Sequence, residues 1–174
     1  MVFNKLPFDG LYLIDLHRLE DERGFFARTF CEKEFEKIGL HSKFPQSNIS
    51  FNLKQGTVRG MHFQVAPYEE IKIVRCTRGA IYDVVVDLRP SSATYKKWLG
   101  IELSDSNRSM LYIPGGFAHG FQTQTDQTEL FYQMSTVYVP DAARGVRWDD
   151  PSLQIKWPLP VSIISQKDLT YASI

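Results

Sequence analysis

The stretch "IKIVRCTRGAIYDVVVDL", residues 71–88, holds two runs that are typical of β-strands, at residues 71–77 and 80–88. Both are rich in β-branched residues, which favour the extended backbone of a strand. Similar runs flank this stretch, at residues 10–16, 24–30, 46–52, 59–64, 97–103, 109–114, 119–124 and 129–139. Segments with turn chemistry separate several of them. Many short strands at near-even spacing predict an all-β sandwich or barrel.

Residues 31–40, "CEKEFEKIGL", form the one predicted helix. Cys31, Phe35 and Ile38 are spaced so that they share one helical face. Gly39 is the predicted stop, because glycine readily takes the left-handed conformation just past a helix. Leu40 is then expected to fold back onto Phe35, a contact that often accompanies such a cap.

The length and charge of the chain narrow the possible functions. Its 174 residues suit a single domain, residues 1–174, that buries about two-thirds of the surface of the unfolded chain. Because 20 basic residues balance 20 acidic ones, no overall charge attracts nucleic acid or membrane. No apolar run approaches the ~20 residues that span a bilayer. The N-terminus lacks secretory features, and Cys31 and Cys76 show no CxxC spacing, so we expect a cytosolic protein with reduced thiols.

Two histidines stand in informative contexts, "RGMHFQ" at residues 59–64 and "PGGFAHGF" at residues 114–121. In a regular strand, His62 and Arg59 point to opposite faces, whereas a bulge at Gly60 would bring them to the same side. The second segment has the PxGxxH spacing that resembles a cupin motif ending in His119. Cupins are jelly rolls, also described as double-stranded β-helices, and we expect this fold with one or two short helices.

The metal site found in most cupins is not expected here. The first motif of metal-binding cupins usually supplies two histidines in the pattern HxH. In this chain His62 takes the first of these positions and Gln64 takes the second. Lys72 follows close by and places a cation where a metal would need a donor. The sequence therefore predicts a barrel that works without a metal ion.

Nine segments in order resemble the family of dTDP-4-dehydrorhamnose 3,5-epimerases, and together they run nearly the whole length of the chain. They are "DERGFF", "QSNISF", "GTVRGMHFQ", "KIVRCTRGAIYDVVVDLR", "YIPGGFAHGF", "FYQMSTVYVP", "GVRWDDP", "IKWP" and "ISQKD". Each alone is weak, but nine in sequence make chance agreement improbable. The resemblance implies an isomerase that inverts carbons beside a ketone, with a nucleotide-diphosphate sugar as substrate. It also implies no cofactor, no metal, no nucleic-acid or membrane partner, and a homodimer.

The resemblance also implies four catalytic residues. His62 resembles the base that removes the proton α to the carbonyl, and Asp168 the carboxylate that orients it. Tyr132 resembles the acid that returns a proton to the opposite face. Lys72 resembles the cation that steadies the enolate oxygen. Without the resemblance, each of three residues has an ordinary structural role as its alternative. His62 is then a hydrogen-bonded structural residue, Tyr132 an aromatic of the core, and Asp168 a cap of a turn.

Substrate-binding residues follow from the same resemblance. Arg23 and Arg59 resemble diphosphate contacts, since guanidinium groups pair well with phosphate oxygens. The remaining predicted contacts are Gln46 and Asn48 to the nucleotide, Lys167 as a further cation, Tyr138 stacked on the base with Phe26 beside it, and His119 on the sugar. Without the resemblance, a role as a solvated surface charge is as common for each of these arginines as a role in binding a ligand.

Three positions depart from the family pattern, which usually has Glu where this chain has Arg28, Glu where it has Ala143, and Lys where it has Gln133. The first two resemble nucleotide contacts, so the preferred nucleotide is expected to differ. Three other functions stay open: a CDP-linked 4-keto sugar epimerase that inverts one carbon, a 3,4-ketoisomerase of the same fold, and a catalytically silent sugar-nucleotide binding module.

Overall fold

Two antiparallel β-sheets and one hairpin contain all the strands of the computed structural model, which describes residues 1–174. The strands are β1 (Val2–Lys5), β2 (Tyr12–Asp15), β3 (Arg18–Asp21), β4 (Gly24–Ala27), β5 (Gln46–Asn52), β6 (Val58–Gln64), β7 (Lys72–Arg78), β8 (Ala80–Asp87), β9 (Trp98–Ser104), β10 (Met110–Ile113), β11 (Phe117–Thr123), β12 (Thr128–Met134) and β13 (Ala143–Gly145). One sheet has the order β1-β2-β10-β7-β12-β5, the other β13-β6-β11-β8-β9, and β3 pairs only with β4. The fold is an all-β jelly roll, as predicted.

The main core lies between the two sheets. Val74 on β7 and Leu111 on β10 meet Ile81 and Val85 on β8 and Phe121 on β11 in one buried cluster. The other faces of both sheets are partly covered as well. Val84 and Val86 pack under residues 146–157, and Ile73 and Met110 pack under the first helix. Burial on both faces explains why the 80–88 run is almost continuously apolar rather than alternating.

The predicted helix is present but shorter, with α1 spanning Glu32–Lys37. Gly39 has a φ of 76°, and its N–H donates to the Glu36 carbonyl at 3.0 Å. The Leu40 N–H donates to the Phe35 carbonyl at 3.0 Å, and Leu40 packs on the cluster that contains Phe35. This pair of bonds defines a Schellman cap, so the predicted helix stop is confirmed.

A second helix, α2 (Gln166–Leu169), begins after the Ser165 cap, whose hydroxyl accepts a hydrogen bond from the Asp168 N–H at 3.1 Å. The expectation of one or two short helices is therefore confirmed. The strand predicted at residues 129–139 ends early, at Met134, and a 3-10 turn follows at Pro140–Ala142. Neither α-helix has the length and apolar character that crossing a bilayer requires.

Asp87 anchors the loop between β8 and β9. Its buried carboxylate accepts hydrogen bonds from Arg89 Nε at 2.9 Å, and from the Ser92 and Thr94 hydroxyls at 2.6 Å each. Burial alone would raise the pKa of this carboxyl, but the hydrogen bonds from Arg89, Ser92 and Thr94 outweigh it and hold the pKa well below the usual range. The ionised carboxylate is therefore part of the folded structure.

We predict that Asp87→Asn lowers the free energy of unfolding at pH 7 by about 3 kcal/mol, because it leaves buried donors without an anionic acceptor. The folded-state pKa lies below the unfolded value of about 3.9. This stabilisation is therefore complete above that value and is lost as pH falls through the folded-state pKa. Urea titrations at pH 7 and at lower pH should show the gap between wild type and variant narrowing. Asp149→Asn, in an exposed pair with Arg147, serves as a control and should cost less than about 1 kcal/mol.

Candidate active site

A cavity of about 580 Å³ opens between the six-stranded sheet, the β6–β13 edge of the five-stranded sheet and the C-terminal segment. Its walls come from β5, β6, β7, β12 and β13, and residues 163–171 close one side. A cavity of this size suits a small organic ligand. Nine predicted site residues line it, namely Gln46, Asn48, Arg59, His62, Lys72, Tyr132, Tyr138, Lys167 and Asp168.

A bulge in β6 brings Arg59 and His62 to the same cavity. His62 pairs with His119 on β11, and Arg59 pairs with Phe121, so three steps along β6 match two along β11. Gly60 sits in this bulge with a φ of 128°. A Cβ atom at Gly60 would lie 2.5 Å from Gly120 Cα, so a larger residue cannot fit. Of the two alternatives that the sequence leaves open, a regular strand and a bulge at Gly60, the structure has the bulge.

His62 and Asp168 form a hydrogen-bonded pair. His62 Nε2 lies 2.7 Å from Asp168 Oδ1, and the Gly60 N–H donates to Asp168 Oδ2 at 3.2 Å. Burial acts to raise the pKa of the Asp168 carboxyl, but the hydrogen bonds from His62 and Gly60 outweigh it and lower the pKa. An ionised carboxylate here favours the imidazole tautomer protonated on Nε2. The other ring nitrogen, Nδ1, is then free to accept a proton.

Tyr132 and Lys72 belong to the opposite sheet, on β12 and β7. Burial raises the pKa of the Tyr132 phenol; the charge of Arg59 lowers it and that of Glu70 raises it. Tyr132 is thus protonated near neutral pH and can donate a proton. Lys72 Nζ lies 2.7 Å from Glu70 Oε1, and both side chains are buried. Tyr132 also packs on the main core, so its ring serves the core as well as the cavity wall.

The rest of the cavity favours an anionic ligand with an aromatic group. Four cationic side chains line it, Arg59, Lys72, Arg144 and Lys167, against two carboxylates, Glu70 and Asp168. This excess of positive charge in a concave site attracts phosphate. Tyr138 is half exposed at the rim, and its N–H donates to Gln46 Oε1 at 2.9 Å.

Three predicted contacts lie away from this cavity. Arg23 and Phe26 belong to the hairpin β3–β4, where Arg23 bonds Asp21 and Phe26 is 71% exposed. Neither residue lines the cavity, and the hairpin pairs with no strand of the two sheets. His119 is nearly buried in the barrel interior, where its Nε2 lies 2.6 Å from Asp83 Oδ1. It neighbours His62 in the sheet but does not line the cavity.

Sequence reasoning missed Glu70, Arg144 and Tyr171 as cavity residues. The Tyr171 ring stands edge-on to the His62 ring with centroids 5.8 Å apart, and it packs on Gly145 so closely that a Cβ atom there would lie 2.2 Å from it. For Glu70 a signal existed, since strand alternation puts it on the same face as Lys72. No pattern marks Tyr171.

The two motif histidines are each paired with a carboxylate rather than with one another. No group of three His, Cys, Asp or Glu side chains is arranged to hold a metal ion. Gln64, at the position of the second cupin histidine, is bound to the backbone. Its Nε2 donates to the Tyr68 carbonyl at 3.0 Å, and its Oε1 accepts from the Val139 N–H at 2.6 Å.

Comparison with known proteins shows one family that matches nearly the whole chain. A family model described as dTDP-4-dehydrorhamnose 3,5-epimerase matches residues 5–174. The dTDP-4-dehydrorhamnose 3,5-epimerase of Sinorhizobium fredii is 42% identical over 175 residues, covering 100% of this chain and 90% of the relative. The dTDP-4-dehydrorhamnose 3-epimerase of Streptomyces niveus is 38% identical over 169 residues, covering 97% and 81%. The crystal structure of the Bacillus anthracis 3,5-epimerase with TDP and PPi bound matches with a TM-score of 0.96 at 38% identity, covering 99% of each chain. The chain belongs to the family of dTDP-4-dehydrorhamnose 3,5-epimerases and is an isomerase of the epimerase type.

Proposed function

We propose that this protein epimerises a nucleotide-diphospho-4-keto-6-deoxyhexose at C3, C5 or both. The observation that carries the proposal is the hydrogen-bonded pair His62–Asp168 in one cavity with a protonated phenol, Tyr132, and a buried ammonium group, Lys72. These groups are a base, an acid and an oxyanion stabiliser, which are the functions that epimerisation beside a ketone requires. The substrates named for the family relatives support the choice of sugar.

In the proposed reaction, His62 takes the proton on the carbon next to the ketone. The electron pair of the broken C–H bond moves to the carbonyl oxygen and forms an enolate, which the Lys72 ammonium stabilises. Tyr132 then donates its proton to the opposite face of the same carbon and restores the ketone. The imidazolium afterwards releases its proton and the phenolate regains one from solvent, so the enzyme returns to its starting state.

The electrostatics of the site support this division of roles. Asp168 is ionised, because hydrogen bonds keep its pKa low despite burial, and a carboxylate 2.7 Å away stabilises the imidazolium. Tyr132 keeps its proton because burial raises its pKa. The base is thus ready to accept a proton while the acid still holds one.

The substrate is anchored through its nucleotide and diphosphate. We assign Arg59 and Lys167 to the diphosphate, Gln46 and Asn48 to the nucleotide, and Tyr138 to the base as a stacking surface. Arg59 is held in place by a 2.7 Å hydrogen bond from its Nε to Asn52 Oδ1. His119 lies in the barrel interior beside His62, and we assign it an indirect effect on the sugar through that neighbour. Lys72 and Tyr132 contact the sugar ring from the other sheet.

Arg23 and Phe26 do not line the candidate site of their own chain, and we include a homodimer in the proposal because a second copy can supply them to it. On β5, Ile49 and Phe51 are 65% and 44% exposed on the outer face, while Gln46 and Asn48 line the cavity on the inner face. A partner packed on this outer face lies beside the rim of the cavity. Its hairpin β3–β4 can then supply Arg23 and Phe26 to the neighbouring site.

The preferred nucleotide is the main alternative within this proposal. Ala143 lines the cavity, so the missing family carboxylate changes the wall itself. Arg28 instead pairs with Glu34 at 2.9 Å, near the hairpin. These two departures make a CDP-linked substrate the second candidate. A 3,4-ketoisomerase is a further candidate, and it differs from the epimerase only in where the enolate is reprotonated.

We also propose a cytosolic location, which the two free cysteines support.

We predict that His62→Ala abolishes exchange of substrate hydrogen with solvent deuterium and leaves nucleotide affinity within about tenfold, or ~1.4 kcal/mol. The base is removed while the nucleotide contacts stay. NMR after incubation in deuterated water with dTDP- and CDP-linked 4-keto-6-deoxy sugars locates label at C3, at C5, at both, or beside a migrated carbonyl. His41→Ala, an exposed histidine outside the cavity, should exchange like wild type. Exchange that survives in His62→Ala rules out this residue as the base, and binding without exchange in wild type indicates a silent binding module.

We predict that dTDP and CDP compete unequally for the site, and that Ala143→Glu changes the ratio of their affinities by about tenfold, because it places a carboxylate on the cavity wall. Displacement titrations with both nucleotides measure the ratio. Asp141→Ala, a surface change near this position, is the control. A clear preference for dTDP in wild type, with a ratio that Ala143→Glu leaves unchanged, shows that the departures are without effect on specificity.

We predict that two inactive variants complement each other. Arg23→Ala/Phe26→Ala and His62→Ala should each be inactive, since one lacks the donated hairpin contacts and the other lacks the base. Unfolded and refolded together, they form mixed dimers in which one site has both an intact base and an intact hairpin, about a quarter of all sites. Recovered exchange activity and a dimeric mass by light scattering support the proposal. A monomer that is fully active excludes it.

A further inference from the structure

Glu70 is a buried carboxylate that the catalytic scheme leaves without a role. It lines the cavity just before β7, and its Oε1 lies 2.7 Å from Lys72 Nζ. The side chains of Glu70 and Lys72 are only 6% and 9% exposed. The second carboxylate oxygen, Oε2, is buried and has no hydrogen-bond partner within the protein. A charged group in this position needs a physical reason.

Stability alone is a weak reason. Removing two charges from water costs several kcal/mol per ion, and a buried pair often contributes less than apolar residues of the same volume. The pair here is also incompletely satisfied, because Oε2 lacks a donor. For an enolate, moreover, an anion beside the stabilising cation reduces the net attraction. Glu70 must therefore offer an advantage that outweighs this loss.

Positioning supplies such an advantage. A lysine side chain is flexible and carries about 2 kcal/mol of rotamer entropy, so a free ammonium group does not hold one direction. Glu70 takes one of the three N–H donors of Lys72 and leaves two for the substrate oxygen. The backbone at Glu70 is itself fixed, since the next residue, Ile71, donates its N–H to Ser135 Oγ at 2.8 Å and accepts from the Ser135 N–H at 2.9 Å.

We infer that Glu70 is a positioning residue, which holds the Lys72 ammonium toward the substrate carbonyl. This inference rests on the proposed epimerase function and deepens it. Three influences act on the pKa of Tyr132: burial raises it, the charge of Arg59 lowers it, and the charge of Glu70 raises it. The other charged or titratable groups around the cavity are His62, Lys72, Tyr138, Arg144, Lys167, Asp168 and Tyr171.

The test is Glu70→Gln, which keeps the shape of the side chain and removes its charge. We expect kcat to fall on the order of 10- to 100-fold with KM within about threefold, because a misdirected catalytic group loses rate more than binding. Activity disappears at high pH as Tyr132 loses its proton. Without the neighbouring anion, this alkaline limb of the kcat profile should move to lower pH.

Glu69→Gln is the matched control, because Glu69 is the adjacent residue, is exposed and does not line the cavity. Its kcat and pH profile should equal those of wild type. If Glu70→Gln does not fold, as judged by its melting curve and nucleotide binding, Glu70→Asp decides. It retains the charge but shortens the side chain, so kcat should fall while the alkaline limb stays in place.

The outcomes separate this inference from the proposed function. If wild type and Glu69→Gln exchange deuterium but Glu70→Gln has an unchanged kcat and alkaline limb, the role of Glu70 is wrong and the epimerase proposal stands. A Glu70→Asp variant with the kcat of wild type also overturns it. If wild type itself exchanges no deuterium, the proposed function fails before Glu70 is tested.

Discussion

The close approach of two backbones, at Gly60 on β6 and Gly120 on β11, is the constraint on which the site depends. A Cβ atom on Gly120 would lie 2.7 Å from the Arg59 carbonyl oxygen, and one on Gly60 would lie 2.5 Å from Gly120 Cα. Only glycine at both positions allows the strands to meet here. The bulge that results turns Arg59 to the side of His62 and directs the Gly60 N–H to Asp168. One backbone irregularity thus brings together Arg59, His62 and Asp168, to which we assign the roles of phosphate-binding cation, base and orienting carboxylate.

The cavity joins charges that are held in place from different parts of the chain. Asp168 is fixed by α2, and the segment before α2 is tied to the barrel where the Val58 N–H donates to the Ile163 carbonyl at 2.8 Å. Lys72 is fixed by β7 and by Glu70. Because Asp168 is paired with His62 and Lys72 with Glu70, these groups need little reorganisation to stabilise charge that develops on a bound molecule.

Local patterns predicted the elements well and distant contacts poorly. The run at residues 46–52 matches β5 at both ends, and Gly39 was a sufficient signal for the end of α1. The pairing of His62 with Asp168, 106 residues apart, came only from family resemblance, since no periodicity reports how a C-terminal segment docks. Glu70 was missed because two successive glutamates after Pro67 and Tyr68 are typical of a solvated turn. Tyr171 was missed because its position depends on the docking of that same segment against Gly145.

Strand β5 lies between the candidate site and an exposed apolar face of the six-stranded sheet, the face at which we propose the homodimer forms. It is an edge strand, and such strands must be covered or protected because their free backbone groups can pair with other chains. Successive side chains of a strand point to opposite faces, so the same seven residues place Gln46 and Asn48 in the cavity and expose Ile49 and Phe51 outside. A partner that covers the outer face also restrains the backbone that carries the inner one. In the proposed homodimer, association and substrate binding are therefore linked through this single strand, and the hairpin β3–β4 of each chain reaches the cavity of the other.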